Sequence, residues 1–396
     1  MKQLNKVSYL VGNEKITFQS KPPYNTLVCE FISTFSNYLN KDKKTKNFPD
    51  LKTLAFWCRK KNIDILKSRF ESTELRVGLG LVFHITPSNI PTNFIYSLMF
   101  GLLTGNTNIV KVPSQHFEQV EIICKNINKI LTIKKFTEIK NMVKVIRYSQ
   151  NNEFTEKLSL ACDARMVWGG NKTIKKIREF KLQERSLDIA FSDRFSFCVI
   201  NSKEILKLKK YNLNRLFEKF YNDTYLVDQN ACSSPHLILW LGDKSSKAKN
   251  IFWNGLVNYV SKKYNLPEIG SMDKRTKLYE DLATINNIKS HMVFNKFLYL
   301  IRLKKLDHDL CSLRGRWGYF YELDINNLNE IAKYIKKNCQ TLSYFGLSKN
   351  YLSKFILNNN LSGIDRIVPI GQALDMNFNW DGYDINKILT RIIELR

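Results

Sequence analysis

Residues 80–114 read GLVFHITPSNIPTNFIYSLMFGLLTGNTNIVKVPS, and this stretch decides the fold class. It continues an alternation begun upstream: Val77, Leu79, Leu81 and Phe83 occupy every second position between Arg76 and Ile85, the pattern of a strand. TPSNIP then forms a turn, with Pro91 near the first position of a helix, where its missing N–H is not needed. Residues 92–103 read as an apolar helix ended by Gly105-Asn106, and 108–112 as a short buried strand. Ser114 is placed to cap a helix running to about Leu131.

The alternation of strand and helix continues outward. Met142–Tyr148 and Ala164–Trp168 read as strands, 153–161 and Lys172–Phe180 as helices. Such an order predicts a parallel sheet with helices on both faces. A second α/β block starts near residue 195. It has strands at Phe195–Ile200, His236–Leu241 and about 297–303, 317–323 and 340–345, and helices at Lys203–Tyr221 and about 244–262 and 273–287. Residues 1–75 read mostly as helix, and the turn- and aromatic-rich tail is expected to pack back on the body. The expected division is a helical part of the first domain over 1–75, a nucleotide-binding domain over 76–195, a cysteine-bearing domain over 196–355 and a terminal segment over 356–396.

Composition narrows the function classes. The chain has 396 residues and ordinary apolar content, enough for two or three packed domains. Its most apolar window, Phe94–Leu103, is far shorter than the roughly 20 residues that span a bilayer. The N-terminal MKQLNKVSYLVGNEK lacks an apolar signal-peptide core, so a cytoplasmic location is expected. Eight scattered cysteines, with no CxxC pair and no Cys/His cluster at zinc-ligand spacing, point to a reduced protein without a structural metal. The net charge is +26, but the basic residues are spread along the chain; clusters such as Lys41–Lys46 read as solvated faces. Nucleic-acid binding, or a scaffold role on a decayed fold, is therefore an alternative rather than the leading reading. A positive surface equally steers a phosphorylated cofactor, coenzyme A or an acidic carrier protein.

Four local patterns carry chemistry. Asn89 follows a strand end, where it either completes the turn or donates its amide N–H to a developing oxyanion. Lys111 closes a buried strand and either reaches solvent or holds a ribose or phosphate; Ser114 follows Pro113. In VWGGNKTI, Gly169-Gly170 sits between a strand and a helix, so amide N–H groups and the positive helix end face outward, which suits a pyrophosphate. GLG at Gly78–Gly80 lies inside an expected strand, lacks a third glycine and is not a dinucleotide fingerprint. Finally, DQNACSSP (Asp228–Pro235) sets Cys232 among small polar residues, between a helix and a strand. Reactive cysteines sit on partly exposed turns and inert ones among apolar neighbours, so Cys232 is the candidate nucleophile.

The order strand-end Asn, Lys, Gly-Gly, Cys resembles the aldehyde dehydrogenase superfamily. The words at 80–114, DQNACSSP and GIDRIVPIGQALDMNFNWDGYD are more closely similar to its acyl-CoA reductase branch, the LuxC-type fatty acid reductases, over roughly residues 76–396. The resemblance implies two α/β domains with the active site between them. It implies Cys232 as nucleophile, Asn89 with the Cys232 backbone N–H as oxyanion hole, Lys111 on the adenosine ribose and its phosphate, and Gly169 and Gly170 beneath the pyrophosphate. Ser114 falls where NAD-preferring relatives often carry Glu. A serine does not repel a 2′-phosphate, so NADPH is expected, with NADH as the alternative.

Two departures matter. The Glu that activates deacylating water in oxidising relatives has no counterpart in LDIAFSDRFSF, where Ala190 falls near its place and Asp188 and Asp193 lie close by. The Glu that holds the nicotinamide ribose is also missing; LRGRWGYF (Leu313–Phe320) is the nearest region. The implied activity is reduction of an acyl thioester to an aldehyde, with aldehyde oxidation as the rival. The implied partners are an acyl-CoA, an acyl-carrier protein or an acyl-protein synthetase, and a homo-oligomer is left open.

Overall fold

A computed structural model describes residues 7–15, 18–70, 74–149, 151–243, 245–307 and 309–396. The strands, in chain order, are β1 (Ser8–Val11), β2 (Leu75–Gly78), β3 (Leu81–Ile85), β4 (Thr107–Val112), β5 (Val143–Arg147), β6 (Ala164–Trp168), β7 (Leu187–Phe191), β8 (Phe195–Asn201), β9 (Leu237–Leu241), β10 (Ile288–Phe294), β11 (Leu298–Leu303), β12 (Tyr319–Ile325), β13 (Cys339–Phe345), β14 (Arg366–Pro369), β15 (Asn379–Trp380), β16 (Tyr383–Asp384) and β17 (Thr390–Ile393). Two compact units result: one made of the described residues up to Asp193 together with Asn377–Arg396, the other of Arg194–Met376.

The first unit is built on a six-stranded sheet in the order β1-β5-β4-β3-β6-β7. All neighbours are parallel except β1, which runs antiparallel on β5. From β3 the chain winds outward through β4 to β5, then returns to the other side of β3 for β6 and β7. The switch therefore falls between β3 and β6, and ligands of open α/β sheets gather beyond the strand carboxyl ends at such a point. All five residues of β3 and of β6 are buried, as expected of strands covered on both faces. The helix Asn93–Leu103 has ten buried residues and lies under the sheet rather than on the surface.

Several boundaries differ from the sequence reading. The alternation from Arg76 to Ile85 is two strands, broken at Leu79–Gly80. β3 joins the main sheet, whereas β2 pairs antiparallel with β17 near the chain end. Gly80 has φ +140, and a Cβ there would lie 2.2 Å from Asp163 Oδ2, so the kink requires glycine. GLG thus separates two strands instead of lying within one. The helix after Ser114 begins only at Glu118, with Phe117 at its N-cap and no side-chain cap bond, so Ser114 caps nothing. Glu118 and Glu121 in its first turn complement the helix dipole instead.

The second unit holds a seven-stranded sheet, β10-β11-β12-β9-β8-β13-β14, parallel except for the β10–β11 hairpin. Alternate residues supply two cores: Phe197, Leu239, Ile301 and Tyr321 on one face, Cys198, Trp240, Leu300 and Phe320 on the other. Fully buried Glu322 accepts from the indoles of Trp240 (2.9 Å) and Trp253 (2.8 Å) and pairs with Arg302, so this interior charge is both partnered and hydrogen-bonded. The expected helix Lys203–Tyr221 is two helices, Ser202–Leu206 and Lys210–Asp223.

Candidate functional site

Five of the six sequence-derived site residues lie along one edge of the first unit's sheet, the carboxyl ends of β3, β4 and β6. Register sets Ile85 beside Lys111 on one side and Val167 on the other, so β3, β4 and β6 end together. Asn89 lies exposed in the bend after β3. Its loop is tied to β4: Thr86 donates both its N–H (3.2 Å) and its hydroxyl (2.9 Å) to the Lys111 carbonyl. Lys111 is half-buried with Nζ 4.8 Å from the centre of the Tyr148 ring, and burial lowers its pKa. Burial partly desolvates this amine, and pairing with an anion would favour its charged form. Ser114 is exposed just past Pro113 on the same edge.

Gly169 and Gly170 follow β6. The Gly169 N–H bonds the Phe191 carbonyl at 3.1 Å, so this amide is already used in the sheet. Gly170 is the N-cap of the helix Asn171–Arg178 and offers no side chain to the first-turn amides. A Cβ on Gly170 would meet nothing within 4 Å, whereas one on Gly169 would touch Thr173 at 3.4 Å. An uncapped helix N-terminus beside open space is chemically suited to phosphate. Behind it, the Trp168 indole donates to Ser97 Oγ (2.9 Å), which also meets His84 Nδ1 (2.7 Å), while His84 Nε2 meets Asn108 Oδ1 (2.9 Å). This buried chain locks the apolar helix against β3, β4 and β6. His84 itself is pushed down to about 4, chiefly by desolvation, and is a neutral structural ring.

The carboxylates near Ala190 are partly accounted for. Asp188, on β7, takes a fork from the buried Arg165, Nε to Oδ1 at 3.1 Å and Nη2 to Oδ2 at 2.9 Å, with Arg178 at 3.3 Å. Both of its oxygens are committed to guanidinium, which suits a structural pair and not a water-activating base.

Cys232 belongs to the second unit, half-buried in the turn that leads into β9, at the amino-terminal edge of that sheet. The turn is held under backbone strain. Asp228 (φ 53) and Gln229 (φ 59) are successive non-glycine residues in the left-handed region, each costing roughly 1–2 kcal/mol. Buried Gln229 offsets this with four bonds: Nε2 donates to Pro235 O (3.0 Å) and Tyr319 O (3.1 Å), and Oε1 accepts from the N–H groups of Gly318 (3.1 Å) and Tyr319 (3.3 Å). The Ser196 hydroxyl donates to the Cys232 carbonyl at 2.6 Å and accepts the Thr341 N–H at 3.1 Å, fixing the Cys232 peptide to β8 and β13.

LRGRWGYF runs alongside this turn. Trp317 N–H bonds Asp228 O (3.1 Å), and Tyr321 N–H bonds His236 O (2.9 Å). The Gly315 N–H points to His236 Nδ1 at 3.4 Å. Buried His236 is pushed down to about 3 by desolvation first and then by Arg314, so its ring is neutral. Ser196, Gln229 and the contact with LRGRWGYF were not assigned from sequence. Gln229 lies within the quoted word, but only the fold reveals that its side chain bridges to a segment ninety positions away.

Of the other seven thiols, none of them in a disulfide, six are disfavoured as thiolates. Burial pushes Cys29 and Cys339 up to about 11, Cys162 and Cys198 to about 12, and Cys58 and Cys124 further still. Among the described residues no group of three or more His, Cys, Asp or Glu could hold a metal ion, and no helix is long and apolar enough to cross a membrane.

The architecture is that of the aldehyde dehydrogenases. The chain superposes on aldehyde dehydrogenase 21 from Physcomitrella patens with a TM-score of 0.64 at 10% identity, covering 93% of this chain and 86% of that one. It superposes on the glyceraldehyde-3-phosphate dehydrogenase GapN of Methanocaldococcus jannaschii, solved with NADP, with a TM-score of 0.62 at 11% identity, covering 93% and 88%. The chain belongs to the acyl-CoA reductase (LuxC) family, whose model matches residues 24–392. It is 22% identical over 307 residues to the long-chain acyl-protein thioester reductase of Vibrio harveyi, covering 74% of this chain and 58% of that protein. It is 20% identical over 308 residues to long-chain acyl-protein thioester reductase 2 of Photobacterium leiognathi, with the same coverage. The match thus spans little more than half the length of these relatives.

Proposed function

We propose that this chain reduces an acyl thioester to the aldehyde through an acyl-Cys232 intermediate. The Cys232 thiolate attacks the thioester carbonyl, and the donor's thiol leaves. The Cys232 backbone N–H and the Asn89 amide are the proposed donors to the oxyanion. A nicotinamide dinucleotide would be held by Lys111, Ser114, Gly169 and Gly170, and when bound it supplies a hydride equivalent. The residues fit it: the desolvated Lys111 amine and the open space over Gly170 lie on one sheet edge. Expulsion of the Cys232 thiolate from the reduced carbon frees the aldehyde. NADPH is the proposed form, because the exposed Ser114 presents no carboxylate to a 2′-phosphate.

The observation that supports the reductive direction is the lack of a carboxylate at Ala190, near the place where an oxidising enzyme needs a base for water, while neighbouring Asp188 is held in a fork by Arg165. Without that base the acyl-enzyme is spared hydrolysis. The donor is proposed to be an acyl-CoA or an acyl-bearing protein such as an acyl-protein synthetase, and the charge of +26 favours coenzyme A or an acidic acyl carrier.

The test compares initial rates of acyl-CoA reduction with NADPH against aldehyde oxidation with NADP. Reduction is expected to dominate and to vanish in Cys232→Ala, with dinucleotide binding retained. Faster oxidation by the wild type, or turnover by Cys232→Ala, contradicts the proposal.

A further inference from the structure

The helix Lys210–Asp223 ends beside the nucleophile turn, and its last residue is engaged at both its side chain and its backbone. The Asp223 carboxylate is buried, with Oδ2 accepting the Gly371 N–H at 2.6 Å and Oδ1 the Ala373 N–H at 2.9 Å. The Asp223 carbonyl accepts the hydroxyl of Ser234, two residues beyond Cys232, at 2.7 Å. Loop 371–375 is gripped from its other side by Arg366, whose guanidinium donates to the carbonyls of Ala373 (3.0 Å), Gln372 (3.3 Å) and Asp375 (3.1 Å). Its seat on the helix is tight, since Gly371 has φ +98 and a Cβ there would lie 2.7 Å from Lys219 Cβ.

A carboxylate is an expensive group to bury for scaffolding alone. Its distinctive ability here is to accept from two N–H groups at once, one on each oxygen; an amide in its place would turn an NH2 toward one of them. The remaining groups facing Asp223 are Asp375 and Arg366 from the loop side and the buried Cys198 thiol from β8.

We propose that Asp223 is a positioning residue for Cys232: its carboxylate anchors loop 371–375, and its carbonyl anchors Ser234, so that loop and nucleophile turn are held in one fixed relation. Burial leaves this carboxyl titrating at about 7, with desolvation the largest cause. The anchor is consequently at full strength above that pH and is weakened as Asp223 gains a proton and one N–H loses its acceptor.

The inference rests on Cys232 being the nucleophile, and the test separates the two. Full-length wild type, Asp223→Asn and Ser234→Ala are treated with iodoacetamide across pH 5.5–9, and alkylation of Cys232 is followed by peptide mapping. Acyl-CoA turnover is measured alongside. In both variants the Cys232 alkylation rate and kcat should fall by at least about tenfold, as for a nucleophile displaced from its geometry, with KM for NADPH unchanged. The wild-type rate should show an inflection near pH 7 that Asp223→Asn lacks and Ser234→Ala retains. Equal rates and equal profiles in all three proteins overturn the positioning role while leaving the nucleophile in place. If Asp223→Asn does not fold, a normal alkylation rate in folded Ser234→Ala still overturns it. A wild-type Cys232 that resists alkylation removes both readings.

Discussion

At the scale of single residues, Cys232 differs from most of the chain's other thiols by environment. Cys58, Cys124, Cys162 and Cys198 sit among apolar side chains that disfavour a thiolate, while Cys232 sits on a strained, polar, half-exposed turn. Strain of this kind persists only where surrounding bonds over-determine it, and Gln229, Ser196 and Ser234 provide them. Asn89 is proposed as the second oxyanion donor. Asn89→Ala should slow Cys232 acylation by roughly a hundredfold or more, read as a single-turnover rate, because one such donor is worth about 3 kcal/mol of barrier. An unchanged rate removes Asn89 from that role. Cys232, Asn89 and Lys111 were legible as candidates, because each stands at a strand end or on a polar turn where packing alone would not call for it. The sequence did not reveal Asp223 or Gln229. Their roles are long-range bonds to Gly371 and Tyr319, and local spacing carries no trace of these.

At the scale of elements, the turn after β6 offers the sharpest test of the dinucleotide assignment. A Cβ on Gly170 meets nothing within 4 Å beyond its chain neighbours, and its φ of −65 is ordinary. Gly170→Val should therefore leave the melting temperature nearly unchanged while raising KM for NADPH at least about tenfold, the branched side chain standing where the pyrophosphate is proposed to approach the helix end. A variant with normal KM places the pyrophosphate elsewhere. The buried strands β4, β6, β8 and β9 were legible to within a residue or so, since their apolar runs are bounded by turn residues. β1, β7 and β10 were not. β10 is an edge strand whose alternation is mostly solvated, so its sequence IKSHMVF lacks a core-facing run. The break between β2 and β3 was hidden for another reason: the alternation of Val77, Leu79, Leu81 and Phe83 runs straight through a kink imposed by Gly80 against Asp163.

At the scale of the whole molecule, two buried neutral histidines couple folding to acid. His84 and His236 titrate at about 4 and about 3 in the folded chain, against 6.5 when unfolded. Below pH 6.5 the unfolded chain takes up protons that the folded chain refuses, so stability is complete above 6.5 and is lost as pH falls toward 4. The loss is on the order of 3 kcal/mol for each histidine. Asp223 acts in the opposite sense, because its raised pKa makes the folded chain the better proton acceptor between about 4 and 7, and it offsets part of the loss. Urea midpoints should decline from pH 7 to pH 4.5, and the decline should shrink in His84→Gln. A flat wild-type curve contradicts this. The two α/β units and the parallel character of their sheets were readable from the order of strands and helices. The return of Asn377–Arg396 to the first unit, through β17 on β2, was signalled only as a tail that packs back.

The central claim is that Cys232 carries the acyl group. It is tested most directly by intact-protein mass spectrometry after incubation with a series of acyl-CoAs in the absence of dinucleotide, followed by peptide mapping. One acyl group per chain is predicted, attached within Asp228–Pro235, absent from Cys232→Ala and discharged as aldehyde when NADPH is added. An unmodified protein across the series, or an adduct that persists in Cys232→Ala, would contradict the account.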